Sequence, residues 1–279
     1  MNPIIEQRIA KLKALAGMGL NPYPYGFKVS HRSSSIKSDF ETLASSAEVV
    51  SVAGRLVSKR PHGKACFGHV RDQDGDIQAY FKLNDLGPEK FALLAELDVG
   101  DIIGVTGKVF KTRTGEITVH AGSVELLAKS IRPLPEKWHG LKDKETRYRQ
   151  RYVDLFVNLA VRDVFLKRAA IIASMRAYLN SKGFIEVETP VLQPIYGGAN
   201  ANPFVTHHNA LDMNLYLRIA DELYLKRLLV GGLEKVYEVA KDFRNEGMDK
   251  THSPEFTQLE LYQAYVDYED IMALFEDLM

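Results

Sequence analysis

Cysteine is almost missing from this 279-residue chain. Cys66 stands alone, so no intrachain disulfide can form, and its place beside Phe67 in an apolar strand reads as a small buried side chain. No apolar run approaches the length that crosses a bilayer. Polar Asn2, Glu6, Gln7 and Arg8 stand where a secretory leader would carry its apolar core, so the expected location is the cytoplasm. The glycine spacings of the dinucleotide fold and of the P-loop are also absent, and any nucleotide would have to be held by side chains. Net charge is zero as well, but that balance hides an asymmetry. Residues 1–150 hold 23 Lys+Arg against 17 Asp+Glu, whereas residues 151–279 hold 13 against 19. A basic front half suits an anionic partner, and an acidic back half suits a cationic small molecule or a solvated surface.

What is present is a front half patterned as strands and a back half carrying polar chemistry. An amphipathic opening helix (Ile4, Ile5, Ile9, Leu12, Leu15) and a Pro/Tyr-rich stretch from Asn21 to Tyr25 precede strand patterns at 48–58, 65–71 and 76–82. A short helix at 88–97 and strands at 101–112 and 116–127 follow, with Asp74-Gly75 and Thr114-Gly115 marking turns. Three strands, a helix and two strands is the order of an OB fold, which binds oligonucleotides through aromatic stacking. Many small barrels share that order, so strand order alone is a weak signal. Lys59, Lys64, Lys108, Lys111 and Arg113 would add salt-sensitive attraction to phosphates.

In the back half, Val161, Val164, Phe165, Ile172, Met175 and Leu179 fall at helical spacing over 160–182, and Gly183 follows as a stop. Strand patterns at 184–192, 203–208, 214–219, 234–244 and 255–265, with a helix at 221–230, suggest an antiparallel sheet with flanking helices. The last strand alternates. Phe256, Gln258, Glu260 and Tyr262 share one face, and Leu259 and Leu261 share the other with Thr257 and Gln263. An aromatic plate, a carboxylate and a phenol thus lie side by side, with Arg244 and Glu246 at the end of the preceding strand and Lys250 and His252 in the loop. Such a set suits a base and a triphosphate, although an ordinary hairpin with solvated charges has the same pattern. His207 and His208 are strand neighbours pointing to opposite faces and are not expected to chelate one metal.

Phe243-Arg-Asn-Glu246, His252-Ser-Pro-Glu-Phe-Thr257 and Glu260-Leu-Tyr262 resemble motif 2 of the class II aminoacyl-tRNA synthetases, specifically the lysyl branch. Gly183-Phe-Ile-Glu-Val-Glu-Thr-Pro190 resembles motif 1, the dimer-forming segment. Gly197-Gly-Ala-Asn-Ala-Asn-Pro-Phe204 and Leu217-Arg-Ile-Ala-Asp-Glu-Leu-Tyr-Leu-Lys226 resemble amino-acid-binding segments. Arg132-Pro-Leu-Pro-Glu-Lys-Trp-His-Gly140 with Arg147-Tyr-Arg-Gln-Arg-Tyr-Val-Asp154 resembles that branch's linker.

The resemblance implies an α+β multidomain chain. Residues 1–47 would form an N-terminal helix and linker, 48–128 an OB-fold anticodon-binding barrel, 129–159 a linker, and 160–279 the first part of a class II antiparallel catalytic sheet with flanking helices. It implies activation of L-lysine with ATP and Mg2+, transfer to tRNA(Lys), and a homodimer formed through motif 1.

Arg244 would bridge the lysine carboxylate and the α-phosphate, Phe256 would stack on adenine, Glu246 would accept from its amino group and His252 would reach the outer phosphates. Glu222 would hold the α-ammonium beside Gly198, and Glu260 with Tyr262 the ε-ammonium. Arg60, Phe67 and Gln78 would read the anticodon. Pro190 reads as a strand-edge or interface residue. Asn202 and Ser253 depart from the lysyl pattern, which usually has arginine and asparagine there. Nothing in residues 1–279 matches the third class II motif or the acidic magnesium ligands before it. The stretch alone is therefore expected to lack a complete active site, and no metal ligand is nominated in it. A tRNA-binding fragment without ligase activity, or an aspartyl or asparaginyl enzyme of the same class, are the alternatives.

Overall fold

The computed structural model describes residues 2–135 and 141–279; Glu136 to Gly140 of the linker segment lie outside them. The chain divides into two compact units, Met1–Asn158 and Leu159–Met279.

In the first unit, helix α1 (Pro3–Gly17) starts with proline in its first turn, and the Asn2 side chain accepts from the Ile4 N–H. Its apolar stripe is only partly covered. Leu15 is buried, but the other buried side chain is Arg8, which donates to the carbonyls of Val99, Ser130 and Arg132. Two further helices, α2 (Ser33–Ser38) and α3 (Phe40–Ser46), lie where the serine-rich sequence suggests only linker. Tertiary contacts override composition here. Ile36 and Leu43 sink into the barrel core, and Ser33 is tied through its N–H and hydroxyl to Asp72 at 2.6 Å each.

Strands β1 (Val49–His62), β2 (Ala65–Arg71), β3 (Asp76–Lys82), β4 (Ile102–Lys111) and β5 (Ile117–Ala128) close a barrel in the order β1-β2-β3-β5-β4. Helices α4 (Leu83–Leu86) and α5 (Pro88–Glu96) join β3 to β4. Only the β3–β5 seam is parallel, which closes the barrel across the helical connection. Every second residue points inward, so Val50, Val52, Leu56, Val70, Ile77, Ala79, Phe81, Ile103, Val105 and Val119 form one core. Cys66 belongs to it. Gly107 cannot be replaced: a Cβ there would sit 1.9 Å from the His120 carbonyl oxygen on the neighbouring strand. Helices α6 (Lys144–Arg149) and α7 (Arg151–Val157) finish the unit around the fully buried Asp154. Its carboxylate accepts from Arg147, Arg151 and Asn158.

The second unit opens with α8 (Leu159–Ser181). Two small sheets follow. One orders β11-β10-β6 from β6 (Ile185–Glu186), β10 (Lys235–Phe243) and β11 (Glu255–Gln263). The other orders β7-β9-β8 from β7 (Leu192–Gln193), β8 (Val205–His208) and β9 (Met213–Leu217). Helix α9 (Glu222–Val230) precedes β10, and α10 (Tyr268–Leu278) ends the unit.

The single strand expected over 184–192 is instead two short strands in different sheets, and β6 pairs parallel with β10. Pro190 has no N–H for a ladder. Just before it, the Thr189 N–H and hydroxyl turn to the Glu238 carboxylate, at 3.2 and 2.7 Å, instead of a neighbouring strand. The core is small. Leu179, Phe184 and Tyr237 are buried, with Leu259 and Leu261 packed on them. Of the apolar positions of α8, only Leu179 is fully buried; Val164 is 64% and Phe165 48% exposed. Val164, Ile171, Ile172 and Met175 line an open apolar groove with Val239 and Leu259.

Candidate functional site

The register of β10 on β11 builds the site. Asp242 lies opposite Phe256, Ala240 opposite Gln258, Glu238 opposite Glu260 and Val236 opposite Tyr262, so these eight side chains share one face. Leu259 and Leu261 take the other face and pack on the core, as the alternation requires.

At the end of β10, the backbone N–H of Arg244 donates to the Pro254 carbonyl. Its guanidinium lies over the Phe256 ring, 5.0 Å from the centroid. Both side chains are half-buried, and Arg244 presents a planar fork beside an aromatic plate. Glu246 is exposed and accepts from the Asn202 N–H at 3.3 Å, while the Asn245 N–H donates to the Asn202 carbonyl. The loop that carries Asn202 is thus docked on the motif 2 loop through backbone groups that any residue at 202 supplies. His252 is exposed and pairs with Asp249 at 2.8 Å. Asp249 is held below the usual carboxylate range by the Thr251 backbone N–H and by His252.

Glu222 opens α9 and pairs with Lys226 at 2.7 Å. Gly198 faces it with φ +88°, and a Cβ there would come within 2.8 Å of the Glu222 Cβ and 3.1 Å of the Ala220 Cβ. Glycine is required on both counts, conformation and space. Glu260 is half-buried. One of its oxygens accepts from Gln258 at 2.7 Å, while Oε2 is buried without a partner. Burial, then the charge of Asp242, raises its pKa. The Tyr262 phenol is pushed up by burial and by Glu260 and Glu222, and Lys226 lies 5.9 Å from its ring centroid.

Beneath these groups is a buried cluster that no single-residue reading of the sequence nominates. Arg218, 4% exposed, pairs with Glu238 at 2.8 Å, Asp221 at 3.2 Å and Asp242 at 3.4 Å. Asp221, Asp242 and Glu260 bring one oxygen each to within 4.8 Å of one another. Three carboxylates thus share one guanidinium, and Glu260 stands beside two of them. Alternation along β10 puts Asp242 on the same face as Glu238, which is the one signal the sequence offers; Arg218 and Asp221 lie in the irregular connection between β9 and α9.

On the barrel, Arg60 and Phe67 are cross-strand partners, and both line one groove with Gln78, His62, Thr112, Arg113, Thr114 and Glu116. Phe67 packs on Tyr80 at 4.7 Å between centroids, and Tyr80 continues to His120 at 5.4 Å and Phe110 at 6.1 Å. Tyr80, Phe110 and His120 were not singled out in the sequence, although they follow from register: Tyr80 lies opposite Phe67 on one side and His120 on the other. Gln78 is 6% exposed and its amide is engaged, donating to Glu116 at 2.6 Å and accepting from Thr118 at 2.8 Å.

A closed five-stranded barrel and a strand pair presenting arginine, aromatic and carboxylate on one face have counterparts among known proteins. Residues 50–127 match the OB-fold nucleic acid binding domain, and residues 143–279 match the tRNA synthetases class II (D, K and N). Residues 143–279 belong to this class II tRNA synthetase family. Over all 279 residues it is 57% identical to a lysine–tRNA ligase of Carboxydothermus hydrogenoformans and 57% identical to one of Clostridium botulinum strain Langeland. Over 272 residues it is 58% identical to a lysine–tRNA ligase of Syntrophomonas wolfei. The chain spans 57% of the first relative's length and 55% of the other two. Among the described residues, no helix is long and apolar enough to cross a membrane.

Proposed function

We propose that this chain serves a lysine–tRNA ligase that activates L-lysine with ATP and transfers it to tRNA(Lys) in the cytoplasm, working as a homodimer assembled through motif 1. The observation that carries this reading is the charge of the pocket floor. Glu260 lies beside Asp221 and Asp242, which with Glu238 share the single guanidinium of Arg218, and this excess of acid favours a cationic side chain and disfavours the anionic side chain of aspartate. The relatives named above are lysine–tRNA ligases, in keeping with that charge.

In this reading the lysine carboxylate oxygen attacks the α-phosphorus, and pyrophosphate leaves. The protein supplies orientation and charge compensation, not a nucleophile. Arg244 spans the carboxylate and the α-phosphate with its fork, and Phe256 carries the adenine. Glu246 accepts from the adenine amino group, and His252 contacts the outer phosphates. Glu222 holds the α-ammonium, Gly198 leaves room for it, and Glu260 with Tyr262 holds the ε-ammonium. Arg60, Phe67 and Gln78 contact the anticodon. Mg2+ is expected to accompany the triphosphate. Of the close-set acids among the described residues, Asp221 and Asp242 are ion-paired to Arg218 and Glu260 is assigned to the ε-ammonium, so none is assigned to Mg2+ and no step is routed through it. Amino-acid-dependent ATP–pyrophosphate exchange, measured with each of the twenty amino acids on a protein of the relatives' full length, tests the reading. Lysine alone should support rapid exchange; rapid exchange with aspartate or asparagine and none with lysine would overturn it.

A further inference from the structure

The pocket floor contains a pair of acids that the mechanism above does not use. Asp221 and Asp242 are both 0% exposed. Neither of the two oxygens on either side chain receives a hydrogen bond from an N–H group or a hydroxyl. Asp221 stands at the N-cap of α9, where an aspartate ordinarily accepts from the first turn, yet its side chain caps nothing. Arg218 cannot satisfy both. Its best contact goes to Glu238, which also accepts two bonds from Thr189 and is fully served. Arg218 approaches Asp221 and Asp242 only obliquely, at 3.2 and 3.4 Å. The two carboxyl groups are neighbours, with one oxygen of each within 4.8 Å of the other. Two carboxylates this close, out of water and sharing one guanidinium with Glu238, disfavour full ionisation of both.

We propose that Asp221 and Asp242 share one proton beneath the amino-acid pocket and release it when a cationic side chain docks on Glu260. The inference rests on the lysine reading. Asp221 is the donor, one O–H bond breaks, the proton passes to solvent, and the dyad's second negative charge appears facing the incoming ammonium. The groups that face the dyad are Arg218, Glu222 and Glu238, with Arg244 at the end of β10 and Glu260 and Tyr262 on β11. Of these only Arg218 and Arg244 are cationic, so an arriving ammonium is the charge that tips the balance. Burial and then Asp242 raise the Asp221 carboxyl to about 8, which leaves the proton in place near neutrality when no cation is bound. The pair would thus be a specificity device. A neutral side chain gains nothing from it, whereas a cationic one meets an extra charge that it has itself called up.

Calorimetry of lysine binding to the full-length protein, repeated in buffers of different ionisation enthalpy, tests this between pH 6.5 and 8. Wild type should release a fraction of a proton on binding, and its affinity should rise with pH by up to about tenfold per unit. The double variant Asp221→Asn/Asp242→Asn keeps a donor facing an acceptor but cannot ionise. It should fold with an unchanged or higher melting temperature, bind lysine, and lose the part of the proton release that belongs to the dyad. Glu260 is present in both proteins, so its own proton uptake or release cancels in the comparison. Equal proton release by the two proteins, or none by wild type, overturns the dyad and leaves the lysine reading standing. If wild type shows no lysine binding at all, the lysine reading itself fails.

Discussion

The guanidinium of Arg244 rests over the ring of Phe256, 5.0 Å from its centroid, so the group proposed for the α-phosphate lies against the group proposed for adenine. The contact draws the cation and the ring together. Occupation of the plate by adenine requires the guanidinium to slide off and turn its fork toward the phosphate.

Arg244→Lys keeps the charge and removes the fork. In a full-length enzyme it should lower the exchange rate roughly a hundred- to a thousandfold, the scale of losing a preorganised donor to developing charge. The melting temperature should stay nearly constant. A rate within a few-fold of wild type would place Arg244 outside the reaction.

Arg218 should matter chiefly for stability. Arg218→Met leaves Glu238, Asp221 and Asp242 buried without the guanidinium they pair with, and removal of one member of such a cluster typically costs about 3–5 kcal/mol. Urea unfolding at pH 7.5 should show that loss, and it should shrink at pH 5.5 as Asp221 and Asp242, both raised by burial, take up protons. A loss of less than about 1 kcal/mol at both pH values would show that the acids do not depend on Arg218.

The pH dependence of the second unit should be unusual in sign. Asp221 has its folded pKa raised from 3.8 to about 8, so between those values the folded state binds the proton more tightly than the unfolded chain does. That contribution is full at acid pH and falls as pH rises toward 8, opposite to an ordinary ion-paired aspartate. Asp221→Asn should flatten the fall, as read by thermal melts across pH 5 to 9; a wild-type melting temperature that rises steadily over that range would contradict the raised pKa.

Much of this was readable from the chain. The barrel strands were legible because one core fixes the inward phase of all five, and the strand at 76–82 matches Asp76–Lys82. The sheet around 184–192 was not, because two strands of two residues carry no period and Pro190 with Thr189 redirects the chain between sheets. The two faces of β11 followed from alternation alone. The acids under Glu260 did not, since Asp221 meets Asp242 only through the tertiary placement of α9 on β10. The serine-rich helices of 33–46 were hidden by composition and are held by Ile36, Leu43 and the Ser33–Asp72 bonds.

On the barrel, Phe67→Ala should weaken tRNA(Lys) binding by about 1–3 kcal/mol, the cost of a lost stacking partner, and leave the salt slope unchanged. Phe67 is half-buried against Tyr80, so a melting-temperature control is required. Fluorescence anisotropy at two salt concentrations gives the measurement. Unchanged affinity would return Phe67 to a packing role.

The division of the β11 face between lysine and nucleotide is tested most directly by steady-state exchange kinetics on Glu260→Gln and Phe256→Ala in the full-length enzyme. Glu260 carries a buried oxygen without a partner, and an amide there keeps the shape but offers the ε-ammonium no charge-assisted bond. Glu260→Gln should raise the lysine constant by at least about tenfold while the ATP constant stays within about twofold, and Phe256→Ala should do the reverse. Equal rises in both constants for Glu260→Gln, or no change in either, would contradict the assignment and leave Glu260 as one more acid of the Arg218 cluster.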